Sequence, residues 1–220
     1  LSIFSPHPPL IPSREYFDHY RGLELPGPVI GDWVESFDGP AHGLNPEGGE
    51  QRVDLDALTM HRCRAGYYGL IQELDAQLGR LLTYLGRRGL EDTFIMFVSD
   101  HGEMLGDHHL FGKCEPFEAS ANIPFLVRAP GPAGDTSLGD YPCGVVCDQP
   151  VGLQDVMPTL LDVAGLEVPE SCTGQSVLPF VRGDMPSWRD VLHGEHSGYR
   201  RDEEGFHYLV DEQWKYIWRS

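Results

Sequence analysis

The chain has 220 residues, with 16 Lys and Arg against 34 Asp and Glu and a formal charge of −18. That balance leaves no basic surface to neutralise phosphates, which argues against nucleic acid and anionic membranes as partners. At 40% hydrophobic and 23% charged, the chain has the apolar mass to bury a core and is not compositionally disordered, and no apolar run approaches the roughly 20 residues that span a bilayer.

The opening run Leu1-Ser2-Ile3-Phe4 reads as the end of a buried strand, and the chain starts without Met. Both lead to the expectation that residues upstream belong to the same protein. Ser5 to Gly49 carries Pro6, Pro8, Pro9, Pro12, Pro26, Pro28, Pro40 and Pro46, which break periodic structure and predict a long surface excursion. From Asp54 the pattern changes. Tyr67, Leu70, Leu74, Leu78, Leu81 and Leu85 recur at three- and four-residue intervals and predict an amphipathic helix over about Leu58 to Arg88, stopped by Gly89.

Thr93 to Val98 is a continuous apolar run of the kind found in a strand covered on both faces, and helix, turn and strand together suggest an α/β unit with a parallel sheet. Ile123 to Val127 is a second such run, followed by a turn at Ala129-Pro130-Gly131-Pro132. Leu153 to Ala164 predicts a helix closed by Gly165, and Ser176 to Val181 a short helical turn. Past Pro186 the character shifts to short strands at 191–193, 206–210 and 214–218, the last two forming a hairpin around Asp211-Glu212-Gln213. This divides the chain into an α/β core over residues 1–185 and the start of a small antiparallel subdomain over 186–220, with continuation beyond Ser220 expected.

Five cysteines in irregular spacing do not form a disulfide framework, which favours a reducing, cytoplasmic compartment with the periplasm as the alternative.

Ser99-Asp100-His101-Gly102-Glu103 lies just beyond the carboxyl end of a predicted strand, where open α/β sheets keep their sites. Asp100 and His101 can turn toward one ion: a carboxylate suits Ca²⁺ or Mg²⁺, and an imidazole adds affinity for Mn²⁺ or Zn²⁺. The structural alternative is Asp100 capping the next turn while His101 packs in its loop. The continuation to Lys113 adds glycines, His108, His109 and a cation, a set that suits an oxyanion such as sulfate or phosphate.

Asp100-His101-Gly102-Glu103, then Leu105-Gly106-Asp107-His108 and Lys113, resembles the metal and sulfate loop of the sulfatase family within the alkaline phosphatase-like superfamily. Ser5-Pro6-His7-Pro8-Pro9, the helix through Tyr67-Tyr68 and Asp75, Pro158-Thr159-Leu160-Leu161-Asp162 and Trp214-Lys215-Tyr216-Ile217 follow the family template in the same order. The resemblance implies a three-layer α/β fold, a mixed sheet with helices on both faces, followed by a small antiparallel sheet. It implies that Asp100 and His101 are metal ligands, with Ca²⁺ favoured over Mg²⁺ or Mn²⁺. Lys113 would pair with a sulfate oxygen, and His7 would hydrogen-bond the sulfate or give a proton to the leaving alcohol. Read as bare sequence, Lys113 is first of all a solvated surface lysine, and the alternative for His7 is a residue that packs in its loop. His108, Glu195 and His196, with Asp107 and His109, are candidates for substrate contacts or support.

The family's nucleophile is a Cys or Ser in a C/S-x-P-x-R motif, converted to formylglycine. Cys114-Glu115-Pro116-Phe117-Glu118 has Glu where Arg is needed and follows the metal pair, and Cys63-Arg64-Ala65-Gly66-Tyr67 also fails. The chain thus resembles the C-terminal portion of an arylsulfatase-like sulfuric ester hydrolase, inactive alone, with formylglycine expected upstream. Its implied partners are a sulfated small molecule or glycan, and the missing N-terminal segment or a second copy. The alternatives are a phosphonate or phosphate ester hydrolase of the same superfamily and a non-catalytic relative that binds an anion or a partner.

Overall fold

The computed structural model describes residues 1–32, 34, 51–52, 55–129, 144–197 and 205–219. They group into two units: Leu1–Gly89 with His101–Ile123, and Leu90–Asp100 with Pro124–Ser220.

In the first unit, Leu1 to Phe4 form no strand, and Leu1 and Phe4 are exposed. The expected opening strand is therefore absent: no described strand offers this run a ladder, and apolar composition alone does not make one. The proline-rich excursion contains a helix that the sequence reading missed, α1 (Arg14–Arg21). Glu15 in its first turn and His19 and Arg21 in its last complement the helix dipole, and Arg14 reaches Asp18 one turn on at 3.5 Å. Within that excursion, Trp33 and residues 35–49 lie outside the described residues.

A two-residue strand, β1 (Gln51–Arg52), precedes α2 (Ala57–Arg87). Asp56 caps α2 by accepting from the backbone N–H of Leu58 and Thr59, both at 3.0 Å, and from the Thr59 hydroxyl at 2.6 Å. The Thr59 hydroxyl first, then the amides, hold its carboxyl below the usual range. At the other end Gly89 takes φ +66, the left-handed stop the pattern predicts. The incoming chain and α1 cross α2 at Gly66 and Gly69, where any Cβ would meet the Leu10 carbonyl or the Pro12 ring. These two glycines let backbone lie against backbone, and Tyr20 packs its ring 5.7 Å from that of Tyr68.

In the second unit, β2 (Ile95–Val98) is half-buried along its length, so the expectation of a strand covered on both faces does not hold within the described residues. The short β3 (Leu110–Phe111) pairs antiparallel with β1, and α3 (Glu118–Ala121) follows it, both in the first unit. Back in the second unit, β4 (Phe125–Arg128) pairs with β2 antiparallel, from Ile95 opposite Arg128 to Val98 opposite Phe125. An antiparallel pair is compatible with the mixed sheet that the resemblance implies, and the direction is not legible in the sequence, because apolar composition reports burial and carries no information on direction. The turn expected after Ala129 lies outside the described residues from Pro130 on.

A 3₁₀ turn at Leu153–Asp155 leads into α4 (Val156–Val163), with Pro158 in its first turn and Gly165 at φ +67 behind it. The Asp155 carboxylate is fully buried. It receives both guanidinium nitrogens of Arg189 at 2.6 and 2.7 Å and the backbone N–H of Gly152 and Gln175 at 2.9 and 2.8 Å. Thr159, also fully buried, donates to the Asp155 carbonyl and accepts from Val177 N–H ahead of α5 (Leu178–Val181). The chain closes on an antiparallel sheet of β5 (Leu192–His196), β6 (Phe206–Val210) and β7 (Lys215–Arg219), with β6 central. Asp211 turns the final hairpin by accepting from Gln213 and Trp214 N–H, which holds its carboxyl below the usual range.

Candidate active site

Asp100 is the second residue after β2, and His101 opens the loop that runs to Lys113. The loop is held from within. Gly102 and Glu103 donate their backbone N–H to the carbonyls of Ser120 and Ala119, both at 2.8 Å, an approach so close that a Cβ on Gly102 would collide with the Ala119 carbonyl. One oxygen of the Glu103 carboxylate accepts from Leu105 N–H at 3.1 Å and from Gly112 N–H at 2.6 Å, closing the loop across nine positions. Glu103 also helps push the Tyr67 hydroxyl up, after the larger effect of burial.

Among the described residues, the non-glycine positions with left-handed φ are Leu105, His108 and His109 on this loop and Cys114 directly after it. Each such residue costs on the order of 1 kcal/mol or more. Strain concentrated on one segment, and outweighed by the surrounding hydrogen bonds, marks a segment whose conformation is specified for a use.

That conformation brings three of the sequence candidates together. The Lys113 ammonium lies 2.7 Å from Nε2 of His7, and the His7 and His101 rings meet edge to face at 5.7 Å between centroids. Nδ1 of His7 contacts the Pro8 carbonyl at 3.0 Å. A carbonyl only accepts, so Nδ1 carries the proton and Nε2 accepts from Lys113. His101 likewise directs Nδ1 to the Gly102 carbonyl at 2.8 Å, which puts the proton on Nδ1 and leaves the lone pair on Nε2. Asp100 and His101 thus offer a hard oxygen and an imidazole. A carboxylate and an imidazole are donor types that divalent ions accept, and they would be two of the six to eight that Ca²⁺ takes.

The other candidates are placed differently. His108 accepts from Gly31 N–H at 3.1 Å through Nδ1, packs against Phe117 and is pushed by burial toward the neutral form. Asp107 accepts from Val29 N–H at 3.0 Å and lies 3.7 Å from Arg64, so both residues tether the 29–31 segment to the loop. Glu195 and His196 are neighbours on β5 and therefore point to opposite faces of the sheet. Glu195 joins His207, whereas His196 packs on Phe206. The His193 and His207 partners of Glu195 escaped the sequence reading, although His-x-Glu on a strand places both side chains on one face.

The family model described as Sulfatase matches residues 4–166. The chain belongs to the sulfatase family. An arylsulfatase of Clostridium perfringens is 39% identical over 221 residues, covering 100% of this chain and 44% of that protein. A multifunctional alkaline phosphatase superfamily protein of Trinickia caryophylli is 36% identical, covering 89% of this chain and 39% of its own length. The crystal structure of a phosphonate monoester hydrolase of Agrobacterium radiobacter superposes with a TM-score of 0.80 at 28% identity, over 98% of this chain and 47% of that one. The fold is the alkaline phosphatase-like one, and this sulfatase-family chain spans less than half the length of these relatives. Sulfatases generally use a divalent metal and a formylglycine.

Proposed function

We propose that this chain carries the metal-side and leaving-group side of a sulfuric ester hydrolase of the arylsulfatase type, acting on a sulfated small molecule or glycan and inactive without a nucleophile from elsewhere in the protein. The observation that carries the reading is the meeting of His7 and Lys113, far apart in sequence and 2.7 Å apart in space, beside His101. Asp100 and His101 would hold the divalent ion, Ca²⁺ being the one the family resemblance favours over Mg²⁺ or Mn²⁺. When bound, the ion supplies Lewis-acid polarisation of the ester's oxygens, and the formylglycine supplies the attacking oxygen.

The residues of this chain account for the rest. Lys113 places a cation, and His7 a nitrogen already in contact with a proton, where negative charge grows on the departing oxygen. The proton passes from the Lys113 ammonium to Nε2 of His7 and from there to the leaving alcohol, so that Lys113 becomes neutral as the charge on the departing oxygen is quenched and is reprotonated from water afterwards. The Glu103-closed loop keeps Lys113 in range. Cys63 is no candidate nucleophile, because Cys63-Arg64-Ala65-Gly66-Tyr67 lacks the proline and arginine of the family motif. No described helix is long and apolar enough to cross a membrane.

The phosphonate-ester alternative is favoured by one observation, the TM-score of 0.80 to a phosphonate monoester hydrolase. One assay separates the readings: the gene product containing this chain is given an aryl sulfate and the matching aryl phosphonate. Preference for the sulfate, with kcat falling about 10²–10³-fold in Lys113→Met, is the expected result. Preference for the phosphonate replaces the sulfatase reading, and no turnover of either ester points to the non-catalytic relative.

A further inference from the structure

The outer face of the C-terminal sheet carries a second cluster of metal-ligating groups, independent of the loop around Asp100. His193 and Glu195 sit two residues apart on β5, and His207 stands directly opposite Glu195 on β6. Strand alternation puts all three on one face. Nε2 of His193 lies 3.1 Å from Nδ1 of His207, and that Nδ1 lies 3.6 Å from the Glu195 carboxylate. One ligand atom from each residue falls within 4.8 Å of the others, and among the described residues this is the group of three or more such side chains that does so.

We propose that His193, Glu195 and His207 form a zinc-binding site with three protein ligands and one position open to solvent. At zinc bonds of about 2.0–2.1 Å, tetrahedral ligand atoms stand about 3.3–3.4 Å apart. The separations of 3.1 and 3.6 Å bracket that edge and the third lies within 4.8 Å, so side-chain rotations, about 35° for each facing imidazole, would bring the three ligand atoms onto one ion. Without an ion, the two facing nitrogens share one proton, because an N···N contact needs one donor and one acceptor. Zinc replaces that proton: the donating imidazole shifts to its other tautomer, and both facing lone pairs turn to the metal.

The surroundings hold the rings for this. β6 is paired on both sides, so His207 sits on the best-fixed strand of the sheet. Trp218, opposite it on β7, lies parallel to the His207 ring at 5.2 Å and to the His193 ring at 6.3 Å. Two imidazoles and one carboxylate select Zn²⁺ over Ca²⁺, whose preference is for oxygen. The open fourth position takes a water or an anionic group, a carboxylate from another molecule included.

Calorimetric titration of the metal-free chain with Zn²⁺ tests this. One equivalent is expected to bind wild type and Asp100→Asn/His101→Gln alike, to weaken by about tenfold in Glu195→Gln, and to be lost in His193→Gln/His207→Gln. Co²⁺ bound to the wild-type chain should give the intense visible bands of a four-coordinate ion, a readout that does not depend on a variant folding. Unchanged uptake in a folded His193→Gln/His207→Gln protein, displacement of Zn²⁺ by about a hundredfold excess of Ca²⁺, or an octahedral Co²⁺ spectrum would overturn the proposal.

Discussion

The Lys113 ammonium donates to Nε2 of His7 at 2.7 Å, joining residues 106 positions apart. His7 can accept there only as the Nδ1–H tautomer, whose proton goes to the Pro8 carbonyl. Nitrogen-edited spectra of the imidazoles at about neutral pH should therefore show His7 with Nε2 as the unprotonated, hydrogen-bonded nitrogen. That signature should vanish in Lys113→Met and survive in Lys113→Arg. An Nε2–H tautomer in wild type would break the link between this pair and proton transfer.

Asp155 is the buried polar anchor of the second unit. It is the acceptor for Arg189 and for two backbone amides in a pocket with no exposure of its own. Removing its charge leaves a guanidinium without its counter-ion, a change that costs about 3–5 kcal/mol in buried pairs. Urea unfolding of Asp155→Asn should show a loss of that order. A loss below about 1 kcal/mol, the range of an exposed pair, would mean that the network is not a stabilising one.

His108 makes stability depend on pH. Burial lowers its pKa below the ordinary 6.5, against the smaller opposing pull of the Asp107 carboxylate. The unfolded chain thus binds this proton at a higher pH than the folded one does. The contribution is complete above about pH 6.5, declines as pH falls through that value toward the lowered one, and is constant below it. His108→Asn keeps an acceptor for Gly31 N–H and tolerates the left-handed backbone while removing the titration. Wild type should lose stability on acidification through this window more steeply than the variant, as read by urea midpoints. Parallel curves would contradict the assignment.

What the sequence disclosed follows from how local each signal is. The leucine spacing of α2, its Gly89 stop and the Asp211 hairpin are each written within a few residues, and the structure shows all three. α1 was hidden because the prolines at 6, 8, 9 and 12 and at 26 and 28 mask eight residues of helix between them. Strand direction for β2 and β4 is a tertiary property with no local trace. The His7 to Lys113 contact has none either, and only the family resemblance pointed to both. His193 was legible in part, since His-x-Glu on a strand puts His193 and Glu195 on one face, whereas the register that sets His207 opposite Glu195 joins β5 to β6 and has no local trace.

Titration of inorganic sulfate into the chain, with Ca²⁺ or with chelator, tests the central claim most directly, because it probes the oxyanion side of the site without needing a nucleophile. Saturable binding should appear in wild type and tighten with Ca²⁺. It should weaken by about tenfold, about 1.4 kcal/mol, in Lys113→Met and again in His7→Gln. Equal sulfate affinity in wild type and both variants would contradict the account.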